Sequence, residues 1–113
     1  MDCLFCKIAN GQIPANVVYR DDHVVAFEDI NPRAPLHLLI IPQKHIATLN
    51  DIHDEDCELM GHLMLAASKL AKQFNAAEEG YRIVSNCNQG AGQTVFHLHL
   101  HLLGGRKLTW PPG

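Results

Sequence analysis

Apolar positions recur along this chain with two different periods, and the periods mark out its elements. From Val95 to Leu103 the sequence alternates: His97, His99 and His101 take every second position, with Phe96, Leu98, Leu100 and Leu102 between them. Successive side chains of an extended strand point to opposite faces, so this stretch is predicted to be a strand with its histidines on one face and its apolar residues on the other. Residues 54–75 have the helical period instead. Leu59, Leu63, Ala66, Ala67, Leu70 and Phe74 share one face, and Met60, Met64 and Ala71 broaden it. Asp54, Glu55, Asp56 and Glu58 lie at the start of that helix and Lys69 and Lys72 near its end, the favourable order for the helix dipole.

The remaining elements are shorter. Residues 3–10 suit a short helix or turn ended by Asn10-Gly11. Val17–Arg20 and Val24–Phe27 read as a hairpin about Asp21-Asp22-His23. Asn31–Pro35, with two prolines, is a loop, and the apolar run Leu36–Ile41 between Pro35 and Pro42 suits a buried central strand. Tyr81–Cys87 alternates like a further strand. The expected architecture is α+β: a mostly antiparallel sheet, one long helix and a short N-terminal helix, in a single domain spanning residues 1–113.

Composition narrows the function classes. The 113 residues carry a formal net charge of −3, and 19% of them are charged, so no basic surface marks a nucleic-acid binder. No apolar run reaches the roughly 20 residues of a membrane span, and acidic Asp2 stands where an export signal would be basic. The expectation is a cytoplasmic protein without nucleic-acid or membrane partners. Four cysteines in such a chain read as thiols; Cys3 and Cys6 have the spacing of metal ligands, which is also a redox spacing, while Cys57 and Cys87 are expected to pack.

The histidine row admits several chemistries. Single strand histidines are usually hydrogen-bonded structural residues, but three in alternation can address one bound anion, or hold a catalytic zinc with an open fourth position. His37, inside an apolar strand, needs a buried partner. Asp29, in a loop beyond the second strand, suits a cap or a ligand group. Gly90-Ala91-Gly92-Gln93-Thr94 is by itself a turn, and before the histidine strand it can bring backbone N–H groups close to a phosphate.

His97-Leu98-His99-Leu100-His101-Leu102-Leu103 resembles the signature of the histidine-triad nucleotide-binding family. Phe27–Pro32, Pro35–Ile46 and Gly92–Val95 follow in the family's order, and the tail Gly104–Gly113 is similar to that of its small purine-nucleoside phosphoramidases. The resemblance covers nearly the whole chain. It implies the histidine-triad fold, a homodimer, and a purine nucleoside monophosphate or phosphoramidate as ligand. His99 would be the nucleophile, forming a nucleotidyl-histidine, His101 would donate to the phosphate oxygens, and His37 would help to arrange the triad.

Thr94, or Gln93, would meet the leaving amine. Asn86, Gly92, Gln93 and Thr94 would surround the phosphate, with threonine standing where the branch usually has serine. Asp29 would accept from the ribose hydroxyls, two vicinal donors suiting a two-oxygen acceptor. Phe5, Ile8, Phe27, Ile30 and Leu39 resemble the apolar wall about the purine, and Trp110 the residue that reaches the partner protomer's site. One subset of the family holds zinc with an N-terminal cysteine pair and two histidines; the matching positions are Cys3, Cys6, His45 and His97. That would be a closed, structural site. No cofactor is expected for catalysis. The competing expectations are a non-catalytic nucleotide-binding interaction protein, a dinucleoside polyphosphate hydrolase and a zinc hydrolase.

Overall fold

The computed structural model describes residues 2–113. Its centre is a five-stranded antiparallel sheet of β1 (Val17–Arg20), β2 (Val24–Glu28), β3 (Leu36–Pro42), β4 (Tyr81–Val84) and β5 (Leu100–Gly104), in the order β1-β2-β3-β5-β4. Tight or extended connections place β1, β2 and β3 side by side. The chain then leaves for the long helix α2 (Cys57–Gln73), returns as the edge strand β4, and inserts β5 between β4 and β3.

The two faces of the sheet are covered differently. Val24, Ala26, Leu38 and Ile40 face α2, joined by Leu98, Leu100 and Leu102, and they pack on Leu63, Ala66, Ala67, Leu70 and Ala71 of the helix. Burying a side chain such as Leu38 or Ile40 contributes about 1.5–3 kcal/mol each, so this layer carries most of the fold's stability. The alternate positions Val25, Phe27, Leu39 and Ile41 face the short helix α1 (Leu4–Ala9), against Phe5 and Ile8. The period of two along β2 and β3 thus serves two separate cores, one thick and one thin.

α2 ends as its sequence asks. Asn75 adopts a positive φ of 63°, and the Asn75 and Ala76 amides donate to the carbonyls of Lys72 and Ala71, closing a Schellman turn. The helical face matches the sequence pattern except at Met64, which is 51% exposed beside Leu65 at 58%. Cys57 is exposed at the first turn of α2 and not packed as its type suggested.

The histidine stretch is the main revision. Ladder pairing begins only at Leu100, opposite Ile40, while β3 runs on to Pro42 paired with β2. Residues 95–99 approach the sheet without joining it, held by the Leu98 amide on the Ile46 carbonyl at 2.6 Å. Alternation survives nonetheless: Leu98, Leu100 and Leu102 enter the α2 core, and the histidines face α1. The strand expected to end at Cys87 likewise stops at Val84, where its partner β5 begins.

Candidate active site and metal centre

On the α1 face the three histidines divide between two clusters. His97, fully buried, points toward the N-terminus: its Nδ1 lies 3.5 Å from the sulfurs of both Cys3 and Cys6 and 3.2 Å from His45 Nδ1. His45 Nδ1 is 3.3 Å from the Cys6 sulfur. The other ring nitrogen of His97 donates to the Pro42 carbonyl at 2.8 Å, which leaves Nδ1 unprotonated and able to coordinate a metal. Tetrahedral zinc, at about 2.3 Å from sulfur and 2.0 Å from nitrogen, spaces its ligand atoms about 3.3–3.8 Å apart. The observed spacings fit that shell. Burial and the neighbouring Cys3 push the Cys6 thiol up to about 11, so a thiolate pair here calls for a compensating cation.

His99 and His101 stand together in the second cluster, their ring centroids 5.1 Å apart. A run of hydrogen bonds assigns every ring proton. The Arg33 amide donates to His37 Nδ1 at 2.9 Å, so the His37 proton sits on Nε2. That Nε2 lies 2.9 Å from His101 Nδ1 and 3.3 Å from an Asp29 carboxylate oxygen. His101 therefore accepts at Nδ1 and carries its own proton on Nε2. His99 Nδ1 donates to the His97 carbonyl at 2.7 Å, leaving Nε2 with a free lone pair. Side by side stand one imidazole ready to attack and one ready to donate.

Electrostatics keeps both neutral. Burial lowers the pKa of His37 and of His99, and burial with the neighbouring His99 and His37 takes His101 down to about 4. At pH 7 the free Nε2 of His99 is not quenched by a proton, and His101 presents a neutral N–H.

Asp29 accepts the Asn31 amide on one oxygen at 2.8 Å and turns the other toward His37. Phe5, Ile8, Phe27 and Leu39 form one apolar cluster beneath the histidines, with Phe5 and Phe27 packed edge to face at 5.5 Å. Ile30 stands apart from that wall, 91% exposed on its loop. Gly92 adopts φ +88°, a conformation that strains any side-chain-bearing residue. Thr94 is exposed beyond it, and Asn86 is half-buried just past β4. Trp110 is no core residue: it is 80% exposed, with the Arg82 guanidinium 6.0 Å from its ring.

Gln93 departs from its expected place at the leaving group. Its side chain is buried and wholly spent on backbone: the amide donates to the carbonyls of Ala47 at 2.8 Å and Val95 at 3.1 Å, and its oxygen accepts from the Asn88 amide at 2.7 Å. Of the pair Gln93 and Thr94, only Thr94 remains open to a ligand. Four contributors escaped the sequence reading. The Arg33 amide, the Pro42 carbonyl and the Ala47 carbonyl are backbone groups with no residue signature, and Ser85, whose hydroxyl donates to the His99 carbonyl at 3.0 Å, is an ordinary strand-end serine.

Comparisons with known proteins bear on the family and the fold. The family model described as "HIT domain" matches residues 10–108. The purine nucleoside phosphoramidase of Escherichia coli K12 is 48% identical over 107 residues, covering 95% of this chain and 90% of that protein. An uncharacterized HIT-like protein of Synechococcus elongatus is 50% identical over 112 residues, covering 99% and 97%. The crystal structure of a HIT family hydrolase from Legionella pneumophila superposes with a TM-score of 0.98 at 60% identity, covering 99% of this chain and all of that one. Matched by the domain model over most of its length and sharing 48–60% identity and, with the Legionella hydrolase, its fold, the chain belongs to the HIT-domain family of histidine-triad proteins.

Proposed function

We propose that this protein is a hydrolase that cleaves the P–N bond of purine nucleoside 5′-phosphoramidates through a nucleotidyl-histidine on His99. The observation that carries the reading is the complementary wiring of two adjacent imidazoles, His99 with a free Nε2 lone pair and His101 with an Nε2 proton. Similarity to the E. coli phosphoramidase supplies the substrate class.

His99 Nε2 attacks phosphorus while the P–N bond breaks. Positive charge that develops on the ring is met by the His97 carbonyl at Nδ1. His101 donates to a non-bridging oxygen, its orientation set by the Nε2–H of His37. The amine departs with the bonding electron pair and takes a proton from the Thr94 hydroxyl, which exposed Thr94 recovers from solvent water. Water then attacks phosphorus and returns a proton to solvent, releasing the nucleoside monophosphate and free His99. Asp29 receives the ribose hydroxyls, Phe5, Ile8, Phe27 and Leu39 the purine, and the backbone about Gly92 the phosphate. Cys3, Cys6, His45 and His97 would hold zinc, which supplies a cross-link between the N-terminus and the histidine stretch and takes no part in the chemistry. The apolar pair Met64 and Leu65 on α2 and the open edge of β4 suit pairing with a second copy, to which Trp110 would reach.

The test is single-turnover mass spectrometry with adenosine 5′-phosphoramidate. An adenylyl adduct that maps to His99, forms and then decays, and that is missing from His99→Ala, is the expected result. Turnover by His99→Ala at the wild-type rate would sink the mechanism.

A further inference from the structure

We propose that Phe5 is a positioning residue for His99, and that the Cys3, Cys6, His45 and His97 cluster holds it in place through α1; the inference rests on the reading of His99 as the nucleophile. The hydrogen bond from Nδ1 to the His97 carbonyl and the edge contact with the His101 ring at 5.1 Å restrain the His99 ring within the triad. A further packing contact helps to aim Nε2. The Phe5 ring supplies it, edge-on to His99 at 5.1 Å and 83°, and it also abuts His97 at 6.1 Å and Phe27 at 5.5 Å.

Phe5 is only as fixed as the helix that carries it. α1 has six residues, well below the ~12–15 that a helix needs to persist alone, so its position is borrowed from its attachments. At its C-terminal end the Arg20 guanidinium donates to the Ala9 carbonyl at 2.6 Å. At its N-terminal end the Cys6 amide donates to the Cys3 sulfur at 3.3 Å, and both sulfurs face His97. Cys3 and Cys6 bracket Phe5 in sequence. Pinning two sulfurs fixes the rotation of α1 about its own axis, and with it the direction of the Phe5 ring. The cluster therefore acts on His99 by two routes, through the His97 carbonyl and through Phe5.

The experiment pairs kinetics with the NMR resonance of the His99 Nδ1 proton, observed in zinc-loaded wild type, in chelator-treated wild type, in Phe5→Leu and in Phe27→Leu. Phe27 belongs to the same apolar wall and packs edge to face on Phe5. Phe5→Leu is expected to broaden or shift the His99 resonance and to lower kcat about tenfold, by more than KM rises, because misaimed reacting groups cost rate before affinity. Zinc removal is expected to move the same resonance in a chain that carries no substitution. Phe27→Leu should act chiefly on KM and leave the resonance in place.

A sharp, unshifted His99 resonance with unchanged kcat in Phe5→Leu would overturn the positioning role, and so would an equal effect from Phe27→Leu. An unmoved resonance on zinc removal would overturn the coupling. Should the wild type turn over no phosphoramidate, the proposed reaction fails, while the resonance still reports whether Phe5 and the cluster hold the ring.

Discussion

Two groups of metal-ligand residues lie on the same face of this sheet: Cys3, Cys6, His45 and His97 in one, Asp29, His37 and His101 in the other, each with its ligand atoms within 4.8 Å of one another. By residue type both could bind zinc, yet backbone hydrogen bonds send them in opposite directions. In the first, the Pro42 carbonyl takes the His97 proton on the far nitrogen and leaves a lone pair facing the thiols. In the second, the Arg33 amide occupies the only lone pair of His37 and forces its proton toward His101 and Asp29. A cation there would have to displace that proton from an imidazole with no other nitrogen to put it on. One cluster leaves lone pairs that could hold a metal, and the other holds a proton.

The strongest way to break this comparison is at His101. His101→Ala removes the neutral donor and is expected to cut kcat by about 10³-fold or more while nucleotide affinity, followed by calorimetry, stays within about tenfold. A proton-wired cluster should also respond to its relay: His37→Asn is expected to lower kcat about 10–100-fold with a smaller change in KM, measured by steady-state hydrolysis.

Metal titration sharpens the other side. Elemental analysis should find about one zinc per chain, lost in Cys3→Ser with Cys6→Ser, and the double variant should melt roughly 5–15 °C lower. A second tightly held zinc would contradict the assignment of the Asp29 cluster.

The smallest expected effect concerns pH. His101, at about 4 in the folded chain, lies below its ordinary 6.5, and His37 and His99 are lowered too. Above the unfolded value neither state takes up the proton and stability is unaffected; as pH falls from 6.5 toward 4 the unfolded chain binds protons that the folded one refuses. Denaturant unfolding should show roughly 1–2 kcal/mol lost over that window after allowance for solvent screening. Constant stability across it would mean that the histidines are not held neutral.

Much of the fold was legible because burial dictates period. The hairpin, the central strand and α2 came from alternation and helical spacing within three residues, since each packs an apolar face that the sequence must encode. The histidine stretch shows the limit. Its alternation correctly sorted Leu98, Leu100 and Leu102 from the histidines, but where the ladder begins, at Leu100 opposite Ile40, is decided by a partner strand distant in sequence, which no local pattern records. The residues of both clusters could be listed from the chain, whereas their proton wiring could not, because it is set by the backbone of Arg33, Pro42 and His97. The bonding of Gln93 was illegible for a related reason: an amide near a phosphate loop can serve the ligand or the loop, and its three backbone partners are groups without a residue signature.

Those three partners have a thermodynamic consequence. By joining Asn88, Ala47 and Val95, the Gln93 side chain settles the shape of the segment from 88 to 95 when the protein folds and not when a nucleotide arrives. The entropy of ordering that loop, about 1–2 kcal/mol for each residue fixed, is charged to the folding equilibrium. An incoming phosphate surrenders its own freedom and little of the protein's, so association should be fast and its heat capacity change small for the area covered.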